Sequence, residues 1–146
     1  MEKITTILDK KQTHFNRISP DCSVGHALLR MSTENTEYLI VLDEDEKFLG
    51  LLTEHDIARK TIFTNRQIDD ISVKEIMNTK IPFADVNDSV EHCMRLMKRH
   101  NTRYLPVFEG FGFRGVVSGD DILEEAVSNR AGIFDEEEEE AISSSY

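Results

Sequence analysis

Two stretches of this chain can be laid over one another, and that duplication limits what it can fold into. At an offset of 66 residues Ser23 falls on Ser89, Val24 on Val90, His26 on His92 and Met31 on Met97. Asn35, Thr36, Tyr38, Leu39 and Val41 fall on Asn101, Thr102, Tyr104, Leu105 and Val107 at the same offset. Past the next loop the offset is 65, and Gly50, Asp56 and Ile57 fall on Gly115, Asp121 and Ile122. A single change of register placed in a loop is what duplication of one supersecondary unit leaves behind. A unit of about sixty residues is small for a core of its own. The two copies are therefore expected to bury their sheets against each other about a pseudo-twofold axis.

Each copy alternates between two periodicities. Ser23 precedes Val24, Ala27, Leu28 and Met31, the spacing of a one-faced helix behind a serine N-cap. Asn35-Thr36 end that helix. Tyr38–Leu42 is a continuous apolar run, as in a strand covered on both faces. Asp43–Glu46 is a polar connection to a second strand at Phe48–Thr53, and the short link predicts an antiparallel hairpin. A second helix is expected over Glu54–Phe63. The second copy repeats the order: a helix on Val90, Cys93, Met94 and Met97, a strand at Tyr104–Phe108, a loop at Glu109–Phe113, a strand at Arg114–Ser118 and a helix at Gly119–Ser128. Residues 3–17 read as a short apolar turn (Ile4, Ile7, Leu8) and a polar stretch. The expected class is α/β (α+β), built from two β-α-β-β-α motifs. The first motif takes residues 1–64, a linker and short helix 65–80, the second motif 81–130, and an acidic tail 131–146.

Composition excludes several functions. The net charge is −11, of which Asp135–Glu140 supplies six negative charges, and a run of like charge reads as a solvated, disordered tail. No cluster of Lys and Arg is present to neutralise phosphates, so nucleic acid is not an expected partner. No apolar run approaches the ~20 residues that cross a bilayer, and the N-terminus lacks a signal-type apolar stretch; a cytoplasmic protein without a membrane partner is expected. Cys22 and Cys93 form no CxxC pair and have no histidine at ligand spacing, and Cys93 reads as a core thiol. His26 and His92 read as solvated or interface positions rather than metal ligands. No Ser/His/Asp, Cys/His or metal constellation appears, and Asp120-Asp121 has no matching partner, so catalysis is not expected.

Each copy also carries one seven-residue pattern: GLLTEHD at Gly50–Asp56 and GVVSGDD at Gly115–Asp121. A glycine and two apolar residues lead to a hydroxyl residue, two variable positions and an aspartate, and a helical run follows. Two readings stand side by side. Thr53 and Ser118 can be plain N-caps, with Asp56 and Asp121 favouring the positive end of the helix. Alternatively, an ionised carboxylate is a pure acceptor suited to the two adjacent hydroxyls of a ribose, and the free N–H groups beside it can meet an anion.

The stretches SPDCSVGHALLRM…TEYLIVLDEDEKFLGLLTEHDIARK and VNDSVEHCMRLMKRHNTRYLPVFEGFGFRGVVSGDDILEEAV resemble the cystathionine-β-synthase (CBS) domain, two of which form a CBS pair, or Bateman module. The likeness spans residues 4–128. VKEIMNTKI at 73–81 is similar to the usual lead-in to a second motif, and the first lead-in, ITTILDKKQTHFNRI, is longer by three residues. The resemblance implies a non-catalytic regulatory module with no required cofactor. Such modules bind adenosine-containing ligands (AMP, ADP, ATP, S-adenosylmethionine, sometimes NAD), dimerise through their helices and act here on a separate partner protein. It implies that Asp56 and Asp121 hold ribose hydroxyls, with Thr53, His55, Ser118 and Asp120 close to the ribose-phosphate. Arg103, standing where the first copy has Glu37, would face a phosphate, so at most one good phosphate site is expected; alternatively it is an exposed strand-edge residue that pairs with a surface carboxylate. Ile81 and Phe83, at the start of the second motif's first strand, would form a purine slot, as would Phe15 and Ile18 in the first motif; the alternative is that all four are core residues. Ligand in the cleft between the repeats would favour one arrangement of them over another. The alternative is a ligand-free dimerisation scaffold in which both hydroxyl–aspartate segments are only caps.

Overall fold

The computed structural model describes residues 2–11 and 16–128. Along the chain the elements are α1 (Ile4–Lys10), β1 (Arg17–Ile18), α2 (Val24–Glu34), β2 (Tyr38–Leu42), β3 (Phe48–Thr53), α3 (Glu54–Thr61), a 3-10 turn (Ile68–Asp70), α4 (Val73–Ile76), β4 (Ala84–Asp85), α5 (Val90–Arg99), β5 (Tyr104–Glu109) and β6 (Gly112–Ser118). A last helix, α6, covers residues 119–128. The expected acidic tail and Phe15 lie outside the described residues.

The chain forms two compact units, residues 12–81 and residues 1–11 with 82–146. In the first, β1 runs parallel to β2 and β2 antiparallel to β3, with Ile18 opposite Val41 and Val41 opposite Gly50. In the second, β4, β5 and β6 repeat that order, with Ala84 opposite Val107 and Val107 opposite Gly115. Both hairpins shift register at the same point, between Val41 and Leu42 and between Val107 and Phe108. The duplication thus preserves a β-bulge as well as the strands. The mixed α+β class and the duplicated motif are as the sequence predicts.

Local chemistry sets the helix limits. Ser23 Oγ accepts the His26 N–H (3.0 Å) and Ser89 Oγ the His92 N–H (3.1 Å), each capping its helix. Asn35 (φ 52°) and Asn101 (φ 50°) take the left-handed conformation at the other end, which asparagine tolerates better than most residues. The hairpin predicted to loop over Glu109–Phe113 is tighter than expected: Glu109 pairs with Gly112, and Gly110 supplies the positive φ (61°) that a two-residue turn needs. The second helix of the first copy stops at Thr61, leaving Ile62 and Phe63 exposed rather than helical.

Residues read as an apolar turn form α1, and its packing inverts chain order. Ile4 and Ile7 are buried with Ala84, Val86, Cys93, Leu105, Val107 and Val117, the core of the unit built from the second copy. Val73 and Ile76 of α4 are buried with Ile18, Val24, Met31, Val41 and Leu52, the core of the first. The backbone joins are the same in both. Val24 N donates to Ile71 O (2.8 Å) and Val73 N to Cys22 O (2.8 Å); Val90 N donates to Glu2 O (2.9 Å) and Ile4 N to Asp88 O (2.9 Å). Each lead-in segment therefore completes the unit of the other copy. Beyond α4 the chain pairs with the edge of β3, Leu51 and Asn78 exchanging both backbone hydrogen bonds. A Cβ on Gly50 would stand 2.7 Å from Asn78 O, which accounts for glycine there.

Glu75 caps α4 by reaching back to the Ser72 N–H (2.8 Å), while Arg66 holds its other oxygen at 2.7 Å. The hydrogen bond from Arg66, then those from Ser72, hold the Glu75 carboxyl down at about 2. A depressed carboxylate stabilises the fold above its unfolded pKa of about 4.3 and loses that contribution as pH falls toward the folded value. Urea unfolding of the native chain and Glu75→Gln should therefore show a stability gap that is constant above about pH 5 and closes by about pH 2. A gap that persists unchanged to the acid limit would contradict this account.

Candidate functional site

Both hydroxyl–aspartate segments sit at the corner where an edge strand turns into a helix. At the first, Thr53 ends β3 in extended conformation, and Oγ1 accepts the Asp56 N–H at 3.0 Å. The same hydroxyl donates to Asp56 Oδ2 at 3.0 Å. The corner is pinned from below by Glu54 N, which donates to Glu37 O (3.1 Å). At the second, Ser118 Oγ accepts the Asp121 N–H (3.0 Å) and Ser118 N donates to Asp121 Oδ2 (2.9 Å). Gly119 N donates to Arg103 O (2.9 Å), the counterpart of the Glu54–Glu37 bond. Asp56 and Asp121 are both half-buried, one helical turn in, each beside the N-terminal N–H groups of its helix.

The two corners differ in charge. Lys11 Nζ donates to Asp121 Oδ2 at 2.7 Å and to Val116 O at 2.8 Å. These side chains are sheltered, with 29% and 22% of their surface exposed. Lys10 beside it holds Glu125 of α6 at 2.6 Å. At Asp56 the oxygen that corresponds receives the Thr53 hydroxyl instead. Lys11 was not among the residues that sequence reasoning singled out. It lies 110 positions from Asp121, and only the fold brings them together.

The other anticipated residues are distributed as follows. Arg103 reaches Asp120 at 3.6 Å, with both side chains largely exposed (69% and 72%), a geometry in which an ion pair contributes little. The cation expected at the second corner is thus present but meets Asp120, whereas Asp121 is met by Lys11. His55 is exposed. Ile81 and Phe83 precede β4, which begins at Ala84, so they do not open the strand as expected; Pro82 between them lacks the N–H a ladder requires. Ile81 is half-buried and Phe83 is exposed, its ring meeting Phe108 edge-on at 5.6 Å. Ile18 is 3% exposed in the core cluster, the core position that the sequence left as its alternative. His26 is exposed and His92 faces Asp88 at 3.8 Å. Cys93 is fully buried, and burial, then the nearby Asp88 charge, pushes its thiol up to about 11. Among the described residues no group of three His, Cys, Asp or Glu could hold a metal ion, and no helix is long and apolar enough to cross a membrane.

Comparison with known proteins bears on the duplicated unit as a whole. A family model described as CBS domain matches residues 12–62 and again residues 73–128. The CBS domain-containing protein YhcV of Bacillus subtilis is 27% identical over 88% of this chain and 90% of its own length. Uncharacterized protein MJ1404 of Methanocaldococcus jannaschii is 29% identical over 83% of this chain, which spans only 31% of that longer protein. Among solved structures, the CBS domain NE2398 has a TM-score of 0.81 and 34% identity, covering 87% of this chain and 99% of its own. CBSX2 in complex with AMP shares the fold, with a TM-score of 0.75 at 15% identity, covering 89% of this chain and 99% of its own.

The corner hydrogen bonds make a direct prediction. Thr53→Ala and Ser118→Ala should each lower the stability of the chain by about 1 kcal/mol in urea unfolding, the usual value of a lost N-cap. Thr53→Ser and Ser118→Thr should restore most of it. Alanine variants with unchanged midpoints would show that neither hydroxyl caps its helix.

Proposed function

This chain belongs to the CBS-domain family, and we propose that it is a regulatory CBS pair that binds an adenosine-containing ligand and reports its presence to a separate protein. The observation that carries the reading is the paired corner. Two half-buried aspartates, Asp56 and Asp121, stand at matching positions of a duplicated unit, each one turn inside a helix and each beside a hydroxyl residue. A ribose diol donates two hydrogen bonds to such a carboxylate. The N–H groups of the first helical turn, with Ser118 or Thr53, suit an attached phosphate. His55 and Asp120 border the two corners, Arg103 adds an exposed guanidinium beside Asp120, and the exposed Phe83 offers apolar surface for a purine on the unit that carries Asp121. The AMP complex of CBSX2 supports the adenosyl class. Binding that differs between two arrangements of the protein shifts their populations, and a partner reads the result.

One observation favours a second reading, a ligand-free dimerisation scaffold. Each hydroxyl–aspartate pair already satisfies itself by reciprocal hydrogen bonds. Thermal unfolding with AMP, ADP, ATP, S-adenosylmethionine and NAD separates the two. A bound ligand at ~100 times its Kd should stabilise the chain by about 2.7 kcal/mol. The increment should shrink in Asp56→Ala or Asp121→Ala and vanish in the double variant. A native chain indifferent to all five compounds would leave the scaffold.

We also propose a homodimer formed through the helices. On the unit that contains the second copy, Met94, Leu123 and Val127 are more than half exposed (51%, 61% and 56%). Met94 and Leu123, with Met97, Ile122 and Ala126, line a groove of ≈650 Å³. Large exposed apolar residues on one face mark an association surface. Leu123→Asp should convert a dimer to a monomer by size-exclusion chromatography with light scattering, with little change in the circular dichroism spectrum. A dimer that survives the charge would place the interface elsewhere.

A further inference from the structure

We infer that Lys11 makes the Asp121 corner selective for phosphorylated adenosyl ligands over neutral or cationic ones; this rests on the ligand-binding reading above. The two lead-in segments match at an offset of 69, so that Ile4 falls on Val73, Ile7 on Ile76 and Lys11 on Lys80. Their helices then diverge. α4 stops at Ile76 and the following backbone pairs with the edge of β3 at Leu51. α1 continues to Lys10, and Val116 O, the carbonyl that corresponds to Leu51 O, is met by the Lys11 ammonium. From that seat Nζ also takes Asp121 Oδ2, whereas its counterpart Lys80 is exposed. Among the described residues, the Ser118 N–H and the Lys11 ammonium both meet Asp121 Oδ2.

A ribose placed on Asp121 competes with that ammonium for the carboxylate. A nucleoside has nothing to offer the displaced charge in return. S-adenosylmethionine brings a sulfonium, which the ammonium repels. A nucleotide brings a phosphate at the other end of the ribose, and a lysine swung a few ångströms from the carboxylate to a phosphate exchanges one charge-assisted contact for another. The Asp56 corner, with Glu37 and Glu54 as neighbours and no lysine on its carboxylate among the described residues, lacks this discrimination.

Isothermal titration calorimetry of AMP and of adenosine into the full chain carrying Asp56→Ala isolates the Asp121 corner. AMP should bind more tightly than adenosine, Lys11→Met should cut the AMP-to-adenosine affinity ratio by about tenfold, and Lys11→Arg should retain it. In the unaltered Lys11 background, added sodium chloride should lower the AMP-to-adenosine affinity ratio, a test that needs no change at Lys11. An unchanged ratio in Lys11→Met, or equal tightening of both ligands, overturns the assignment while leaving the functional reading in place. So does binding to the native chain that Asp56→Ala alone abolishes. A native chain that takes up neither compound overturns both.

Discussion

The backbone bridge between Ser23 and Ser72, with its counterpart between Lys3 and Ser89, is the contact on which both compact units depend. A three-stranded sheet with two helices leaves one end of its core open. In each unit that opening is filled by a short helix from the lead-in of the other copy: Val73 and Ile76 on one side, Ile4 and Ile7 on the other, all within 5% of complete burial. Fully burying such a side chain is worth about 1.5–3 kcal/mol, so two of them per unit are a large share of the stability a domain of this size can have. The paired backbone bonds at each bridge satisfy polar groups that this burial would otherwise strand. Neither copy could be cut out along its sequence boundaries without losing that plug.

The same arrangement distributes charge unevenly. Duplication placed an aspartate at each strand-to-helix corner, and the reciprocal hydrogen bonds with Thr53 and Ser118 hold both in nearly the same geometry. The lead-ins, however, are of unequal length. Four residues of helix on one side leave backbone to pair with Leu51; seven on the other carry Lys11 onto Asp121. A difference of one helical turn thereby makes one carboxylate a charge-paired group, whereas among the described residues the other meets a hydroxyl. Arg103, the cation that the sequence sets against Glu37, meets the surface carboxylate of Asp120, and Lys11 meets Asp121.

What could be read from residues was read where one physical signal dominated. Tyr38–Leu42 and Phe48–Thr53 begin and end as their apolar runs and flanking polar residues require. Ser23 and Ser89 cap as their side chains dictate, and the Asn-Thr pairs end their helices because asparagine accepts a positive φ. The misreadings fall where two signals were close in strength. Ile4, Ile7 and Leu8 fit a single turn as well as a helix until a core supplies the second face. Gly110 and Gly112 suggested a long loop, whereas Gly110 alone satisfies a tight one. Ile81 and Phe83 suggested a strand start, yet Pro82 delays the ladder to Ala84.

The sequence by itself determined the duplicated motif, its element order and the two corner aspartates, because each follows from contacts a few residues apart or from periodicity along one element. The tertiary structure decided which lead-in completes which unit, and that Lys11 rather than Arg103 meets Asp121. Those outcomes depend on burial of an apolar face against distant chain and on a charge pair across 110 residues. Such terms are set by where the helices come to rest in three dimensions, and no local pattern of residues encodes them.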